Sequence, residues 1–200
     1  STFKQLPEFE QTAMLMAEEC GLRVVPHALI EINDKKELAY ITKRIDRNGD
    51  IKIHMEDFAQ ATLTSTENKY RSSYEECMDL IDKFSKNPLL DKVSLYRCLY
   101  FCFVVGNSDM HLKNFSFIMD DEGKICLSNF YDLLPTKIIL PSDRDELGMR
   151  FNGKKNNLTK KDFLDFAIKV KIDEKVAKNI MESINKVIIC TSDKHNPSAD

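Results

Sequence analysis

Between Asp109 and Asn114 the chain gathers a carboxylate, an imidazole, an ammonium and an amide: Asp109, His111, Lys113 and Asn114. They lie in the run Gly106-Asn107-Ser108-Asp109-Met110-His111-Leu112-Lys113-Asn114, and a second carboxylate follows 18 residues beyond Asn114, in Tyr131-Asp132-Leu133. Groups of these types suit phosphoryl transfer from a nucleoside triphosphate. One carboxylate accepts or orients the proton of the attacking hydroxyl, while an amide and a second carboxylate hold magnesium against the phosphate charge. An aspartate, an asparagine five residues later, then a hairpin and another aspartate follow the kinase order of base, metal ligand, metal ligand. A single aspartate after a buried helix is ordinarily a cap or turn residue; the joint spacing is what argues for chemistry.

The elements around this run must place it. Val93 to Val105 is apolar on nearly every side, which predicts a helix in the centre of the domain, stopping at Gly106. Phe115–Met119 and Lys124–Leu127 flank Asp120-Asp121-Glu122-Gly123 and predict the intervening hairpin. Upstream, the spacing of Phe9, Ala13, Met16, Ala17 and Cys20 predicts a helix from about Pro7 to Cys20, with Gly21 as its stop. Strands are predicted over Val24–Ile32 and Glu37–Ile45, joined by a polar turn at Asn33-Asp34-Lys35-Lys36, and a hairpin turn at Asn48-Gly49 leads into Ile51–Ile53. Helices are predicted from Met55 to about Leu63 and over Ser73–Phe84, separated by an exposed polar loop, Thr64 to Ser72. After an irregular stretch through Pro135 and Pro141, Thr159 caps one helix, Asp173 begins another, and Ser192 to Asp200 read as a frayed tail. The fold class expected is α+β and mainly helical. Residues 1–53 form a helix-and-strand region, 54–191 a helical lobe and 192–200 the tail.

Composition narrows the class. A hydrophobic share of 42% with 30% charged residues is that of a soluble globular protein, and a formal charge of −3 argues against direct nucleic-acid binding. A chain of 200 residues buries roughly 70% of its unfolded surface, enough for a core without staples. The six cysteines include no C-x-x-C pair; Cys98 and Cys102 are four apart in an apolar run, and buried free thiols are expected rather than zinc. The first residues carry no apolar leader, and the longest apolar stretch is too short for a bilayer, so a cytoplasmic location and no membrane partner are expected. Asp46-Arg47-Asn48-Gly49-Asp50 has its glycine too early for a calcium loop and reads as a turn.

The run G-N-S-D-M-H-L-K-N-F-S followed by Y-D-L resembles the signature of the HipA family of serine/threonine toxin kinases, and the resemblance extends from about residue 5 to the last helix. It takes in Leu6-Pro7-Glu8-Phe9-Glu10, Ile41–Arg47, Met55–Gln60 and Phe151–Thr159. It implies a kinase-like large lobe with a short hinge near the start. By the same resemblance Asp109 is the catalytic carboxylate, and Asn114 and Asp132 bind magnesium. His111, Lys113 and Tyr131 line the nucleotide. Lys43 and Ile45 offer backbone groups to the adenine, and Asp46 lies near the ribose. It further implies ATP and Mg2+ as cofactors, a protein substrate phosphorylated on Ser or Thr, and a HipB-like antitoxin through which alone DNA is reached. His111 reads equally well as a structural brace of the loop, and Tyr131 as packing that places Asp132.

Two departures stand out. The hinge has Lys43 and Ile45 where the family shows Glu and Phe, which preserves backbone hydrogen bonds but alters the adenine pocket. None of the six glycines forms a glycine-rich phosphate loop, and the family carries that loop and its lysine before the L-P-E segment; a fragment of a longer protein is therefore expected. Two other classes share parts of the pattern. Small-molecule phosphotransferases of the aminoglycoside or choline kinase type carry an Asp-x-His-x-x-Asn loop, and a domain that kept the fold and lost catalysis would carry the same elements.

Overall fold

The computed structural model describes residues 5–33 and 37–194, so most of the turn expected at 33–36 and the chain end at 195–200 lie outside the described residues. The first helix, α1 (Leu6–Glu19), has Pro7 in its first turn, where a missing N–H costs nothing, and buries Ala13, Met14 and Ala17. Strands β1 (His27–Glu31) and β2 (Leu38–Thr42) pair antiparallel with Leu29 opposite Tyr40. Both are shorter than the sequence predicts. Val24 and Val25 leave the hairpin for a tertiary partner: Val24 bridges Phe130 in parallel, and the Val25 N–H donates to the Phe130 carbonyl at 2.9 Å.

Strands β3 (Arg47–Asn48) and β4 (Ile51–Lys52) form the small hairpin, turned by Gly49 at φ 60°. The segment read as a helix from Met55 begins instead as a strand. β5 (Met55–Asp57) pairs with β6 (Ser116–Met119), which pairs in turn with β7 (Ile125–Leu127). Helix α2 (Phe58–Ala61) starts only at Asp57, whose carboxylate accepts from the Gln60 N–H at 2.7 Å while the Gln60 side chain accepts from the Asp57 N–H. Local pattern alone misses this because the sheet partner comes from sixty residues away.

Helix α3 (Tyr74–Phe84) follows a capping box built by Ser73 and Glu76. Helix α4 (Pro88–Val105) starts five residues before the predicted Val93, since Pro88 opens a first turn that exposes Leu89 and Leu90. A short α5 (Thr136–Ile139) interrupts the irregular stretch, α6 (Lys160–Lys169) is capped by Thr159 as expected, and α7 (Glu174–Lys194) runs past Ser192, into the segment read as tail. The fold is thus α+β and mainly helical. α4 is its axis: Leu95, Tyr96, Cys98, Leu99, Phe101 and Cys102 are all fully buried, among α1, α3, α6 and α7. An aromatic layer of Phe151, Phe163 and Phe166 closes one side, with Phe151 stacked on Phe166 at 4.2 Å. Cys98 and Cys102 are free and buried, as expected from their spacing.

Candidate active site

The site is built where α4 ends. Gly106 takes φ 74°, a left-handed cap that a side chain resists, and its missing Cβ would stand 3.2 Å from the Lys137 Cβ. The chain then descends as a pinned loop. The Asn107 N–H donates to the Cys102 carbonyl at 2.8 Å, and the Ser108 N–H donates to Thr136 Oγ1 at 2.8 Å while its hydroxyl donates to Asp143. The Tyr74 hydroxyl donates to the Met110 carbonyl at 2.8 Å. Asn107, Ser108, Met110, His111 and Leu112 are buried, and among them Asp109 alone turns outward. Its N–H donates to Asn107 Oδ1 at 3.1 Å, and its carboxylate accepts a short hydrogen bond from the Tyr70 hydroxyl.

The residues that follow form one turn of 3-10 helix, Leu112–Asn114. Asn114 Oδ1 accepts from the His111 N–H at 3.0 Å, and Asn114 Nδ2 donates to Asp132 Oδ2 at 2.5 Å. Two side chains singled out as magnesium ligands therefore touch. The Tyr131 hydroxyl donates to the Lys113 carbonyl at 3.0 Å and bonds Ser116 Oγ at 2.6 Å, which ties the Asp132 loop to the turn. Burial pushes the Tyr131 phenol up to about 12, so it remains a donor at neutral pH. Asp132 itself is exposed at φ 59°, between half-buried Tyr131 and fully buried Leu133. The charges of both Asp109 and Asp132 raise the Tyr70 phenol, after burial and the hydrogen bond, and both act on the His111 ring. The two carboxylates thus border one region.

His111 is held below its ordinary pKa by burial first and by Lys69 second, so the ring is neutral; its Nδ1 is buried without a partner. Its ring meets Tyr70 edge-on at 4.8 Å. Across from this turn lies a cleft of about 390 Å³ whose walls include Lys43, Ile45 and Asp46 on one side and Lys113, Ser116 and Tyr131 on the other. The hinge residues and the loop residues, separated by some seventy positions in sequence, share this space. Two details qualify the expected contacts. The Lys43 N–H already donates to the Pro26 carbonyl at 2.8 Å, so the carbonyl is the Lys43 backbone group left for the expected adenine contact. The Asp46 carboxylate is forked by Arg44 at 2.9 and 2.6 Å and must release it to reach a ribose.

Three residues in the neighbourhood escaped sequence reasoning. Glu10, on α1, has its carboxyl pushed up to about 7 by burial and then by the charge of Asp132. Tyr40, on β2, is raised by burial, Glu10 and Asp132, and its hydroxyl is buried with no partner. Tyr70 sits in the loop read simply as exposed and polar, 39 residues from the carboxylate it binds. Glu10 lay inside a recognised segment; nothing in the spacing of Tyr40 or Tyr70 could have marked them.

The donor set fits a magnesium ion. Asp132 offers an exposed carboxylate, and Asn114 an amide oxygen that keeps a lone pair beside its bond from the His111 N–H. Because the amide turns Nδ2 to Asp132, holding the ion would require it to rotate, with phosphate oxygens and water completing the shell. Among the described residues no group of three or more His, Cys, Asp or Glu gathers to hold a metal by itself. No helix of the described residues is long and apolar enough to cross a membrane.

Comparison with known proteins agrees with this architecture. A protein of Sinorhizobium fredii named "Putative kinase Y4mE" is 34% identical over 169 residues, 80% of this chain and 39% of that protein. A second from the same organism, "Putative kinase Y4dM", is 30% identical over 87% of this chain and 45% of its own length. The chain therefore spans less than half the length of the curated relatives it matches. Among solved structures, HipA of Shewanella oneidensis, determined in complex with HipB and operator DNA, superposes with a TM-score of 0.79 at 20% identity, over 94% of this chain and 50% of that one. The proinflammatory kinase CtkA of Helicobacter pylori gives 0.59 at 17% identity, over 90% and 80%. These likenesses establish a kinase-like α+β fold. The model of the HipA-like C-terminal domain matches residues 1–189, nearly the whole chain, and the protein belongs to that kinase family.

Proposed function

We propose that this chain is the large lobe of a HipA-like kinase that transfers the γ-phosphoryl group of ATP to a Ser or Thr hydroxyl of a protein. The observation that carries the proposal is the contact of Asn114 with Asp132 beside an outward-turned Asp109, next to a cleft shared by hinge and loop. In this reading Asp109 takes the proton of the attacking hydroxyl, and Asn114 and Asp132 hold magnesium. Bound magnesium would neutralise charge on the phosphates. Lys113 meets the phosphate tail. Tyr131 braces the loop, and neutral His111 supports it from below. Ile45 and the Lys43 carbonyl meet the adenine, and Asp46 meets the ribose once Arg44 lets go. Kinases pair a small-lobe lysine with a helix glutamate, and in this reading Glu10, a half-buried carboxyl lifted by burial first and by Asp132 second, receives such an ammonium.

The complex in which the Shewanella protein was solved, with HipB and operator DNA, supports a HipB-like antitoxin as partner; contact with DNA through that partner and a cytoplasmic setting belong to the same proposal. In the full-length protein, Asp109→Asn is expected to lower ATP-dependent protein phosphorylation on the order of 10²–10⁴-fold while leaving nucleotide affinity intact. Radiolabel transfer and nucleotide titration check this. Unchanged transfer in the variant, or transfer only to sugars or choline, would refute the assignment.

A further inference from the structure

Asp109 is the only exposed residue of a buried run, and the geometry points to Tyr70 as the residue that positions it. This inference rests on the kinase reading of the site. An aspartate exposed on a turn has free rotation about its side-chain bonds, and a base with wandering oxygens spends little time aligned with an acceptor. Here the Tyr70 hydroxyl donates to Oδ1 of that carboxylate. Among the described residues the other hydrogen bond of Asp109 runs from its backbone N–H, which leaves Oδ2 to meet the proton of the attacking hydroxyl. The phenol is well placed to hold one oxygen still because it is itself clamped. Its ring lies edge-on to buried His111, at 4.8 Å and 79°. The Lys69 ammonium stands 5.0 Å from one ring centroid, and Lys155 stands 6.0 Å from the same ring. The loop that bears it is tied to the catalytic turn by the Leu112 N–H, which donates to the Lys69 carbonyl. Burial and the two nearby aspartates keep the phenol protonated, hence a donor, across the neutral range. Tyr70 is therefore a positioning residue: it touches the base and leaves one carboxylate oxygen for the proton.

The test is Tyr70→Phe in the full-length protein, which keeps the ring and its packing and removes only the hydroxyl. The expected result is a fall in kcat on the order of 10- to 100-fold, with KM for ATP and for the protein acceptor unchanged. The double variant Tyr70→Phe with Asp109→Asn is expected to be no slower than Asp109→Asn alone, because the hydroxyl acts only through that carboxylate. A raised acceptor KM with kcat unchanged would make Tyr70 a substrate contact and overturn the proposal. So would a faster enzyme, which would make it a plug, or phosphate found on Tyr70 by mass spectrometry, which would make it an acceptor. Wild-type kcat in Tyr70→Phe sinks the proposal and leaves the kinase reading standing; full activity in Asp109→Asn sinks both.

Discussion

Asp132 occupies φ 59°, a region that costs a residue with a side chain of order 1 kcal/mol and is tolerated by aspartate better than by most. The strain is offset by what it achieves. Leu133 is driven into the core, Tyr131 is tied to Lys113 and Ser116, and the carboxylate between them is turned out against Asn114. Its negative charge then acts on its neighbours, and adds to the burial that already lifts the Glu10 carboxyl. The Glu10 carboxyl is raised to about 7 in the folded chain, so the fold binds a proton there that the unfolded chain releases near 4.5. Stability is therefore lost as pH rises from about 4.5 to 7, and the loss is complete above that window. Glu10→Gln removes the penalty. Because the carboxyl still reaches solvent, the gain is discounted to roughly 1 kcal/mol, or about 2–4 °C in melting temperature at pH 8. Melts at pH 4.5 should show no difference between the two proteins. An equal difference at both pH values would show that the effect has another origin.

At the scale of elements, the catalytic turn is held by packing that depends on glycine. A Cβ built on Gly148 would lie 2.6 Å from the Met110 carbonyl oxygen and 2.9 Å from that of Ser108, on either side of Asp109. The bend through Gly148 and Met149 thus presses on the turn from outside, while the Tyr74 hydroxyl links Met110 and Met149 from within. Gly148→Ala must push the two segments apart. We expect a loss of about 1–3 kcal/mol in denaturant unfolding. A fall in kcat larger than the fraction unfolded explains should accompany it, since the displaced atoms flank the base. Full activity together with wild-type stability would show that the turn yields without cost. The capping boxes of α2, α3 and α6 are a second device of this scale. Each begins a helix at a residue chosen by a short side chain; Thr159 was legible as a cap, whereas Ser73 was read as the first residue of its helix.

For the whole molecule, the site depends on a single core. α1 contributes Met14 and Ala17 to the cluster that also contains the α4 residues, the aromatic layer and the buried Ile180 and Ile184 of α7. The proposed hinge, carried between α1 and the helical lobe, is fixed by that continuity and by the Val24–Phe130 bridge. Phe151 is fully buried and contacts Tyr74, Phe163 and Phe166. Phe151→Ala is expected to cost about 3–5 kcal/mol by urea unfolding, a cavity effect. It should also loosen Tyr74 and with it the Met110 anchor. Folded protein at low temperature that retains nucleotide affinity would show the core and the site to be separable.

The family and the order of the chemical groups could be read along the chain, because Asp109, Asn114 and Asp132 lie within one short stretch whose spacing is itself the signal. Helices with a one-sided or all-round apolar pattern were legible for the same reason: their periodicity is local. What lay outside reach was everything set by a distant partner. Met55 joins a strand because β6 offers it an edge, and Val24 leaves a hairpin for Phe130. The Tyr70–Asp109 and Glu10–Asp132 relationships arise only when loops far apart in sequence are brought together. A hydrogen bond or a Coulomb shift depends on separation in space, and separation in space is decided by burial of the shared core.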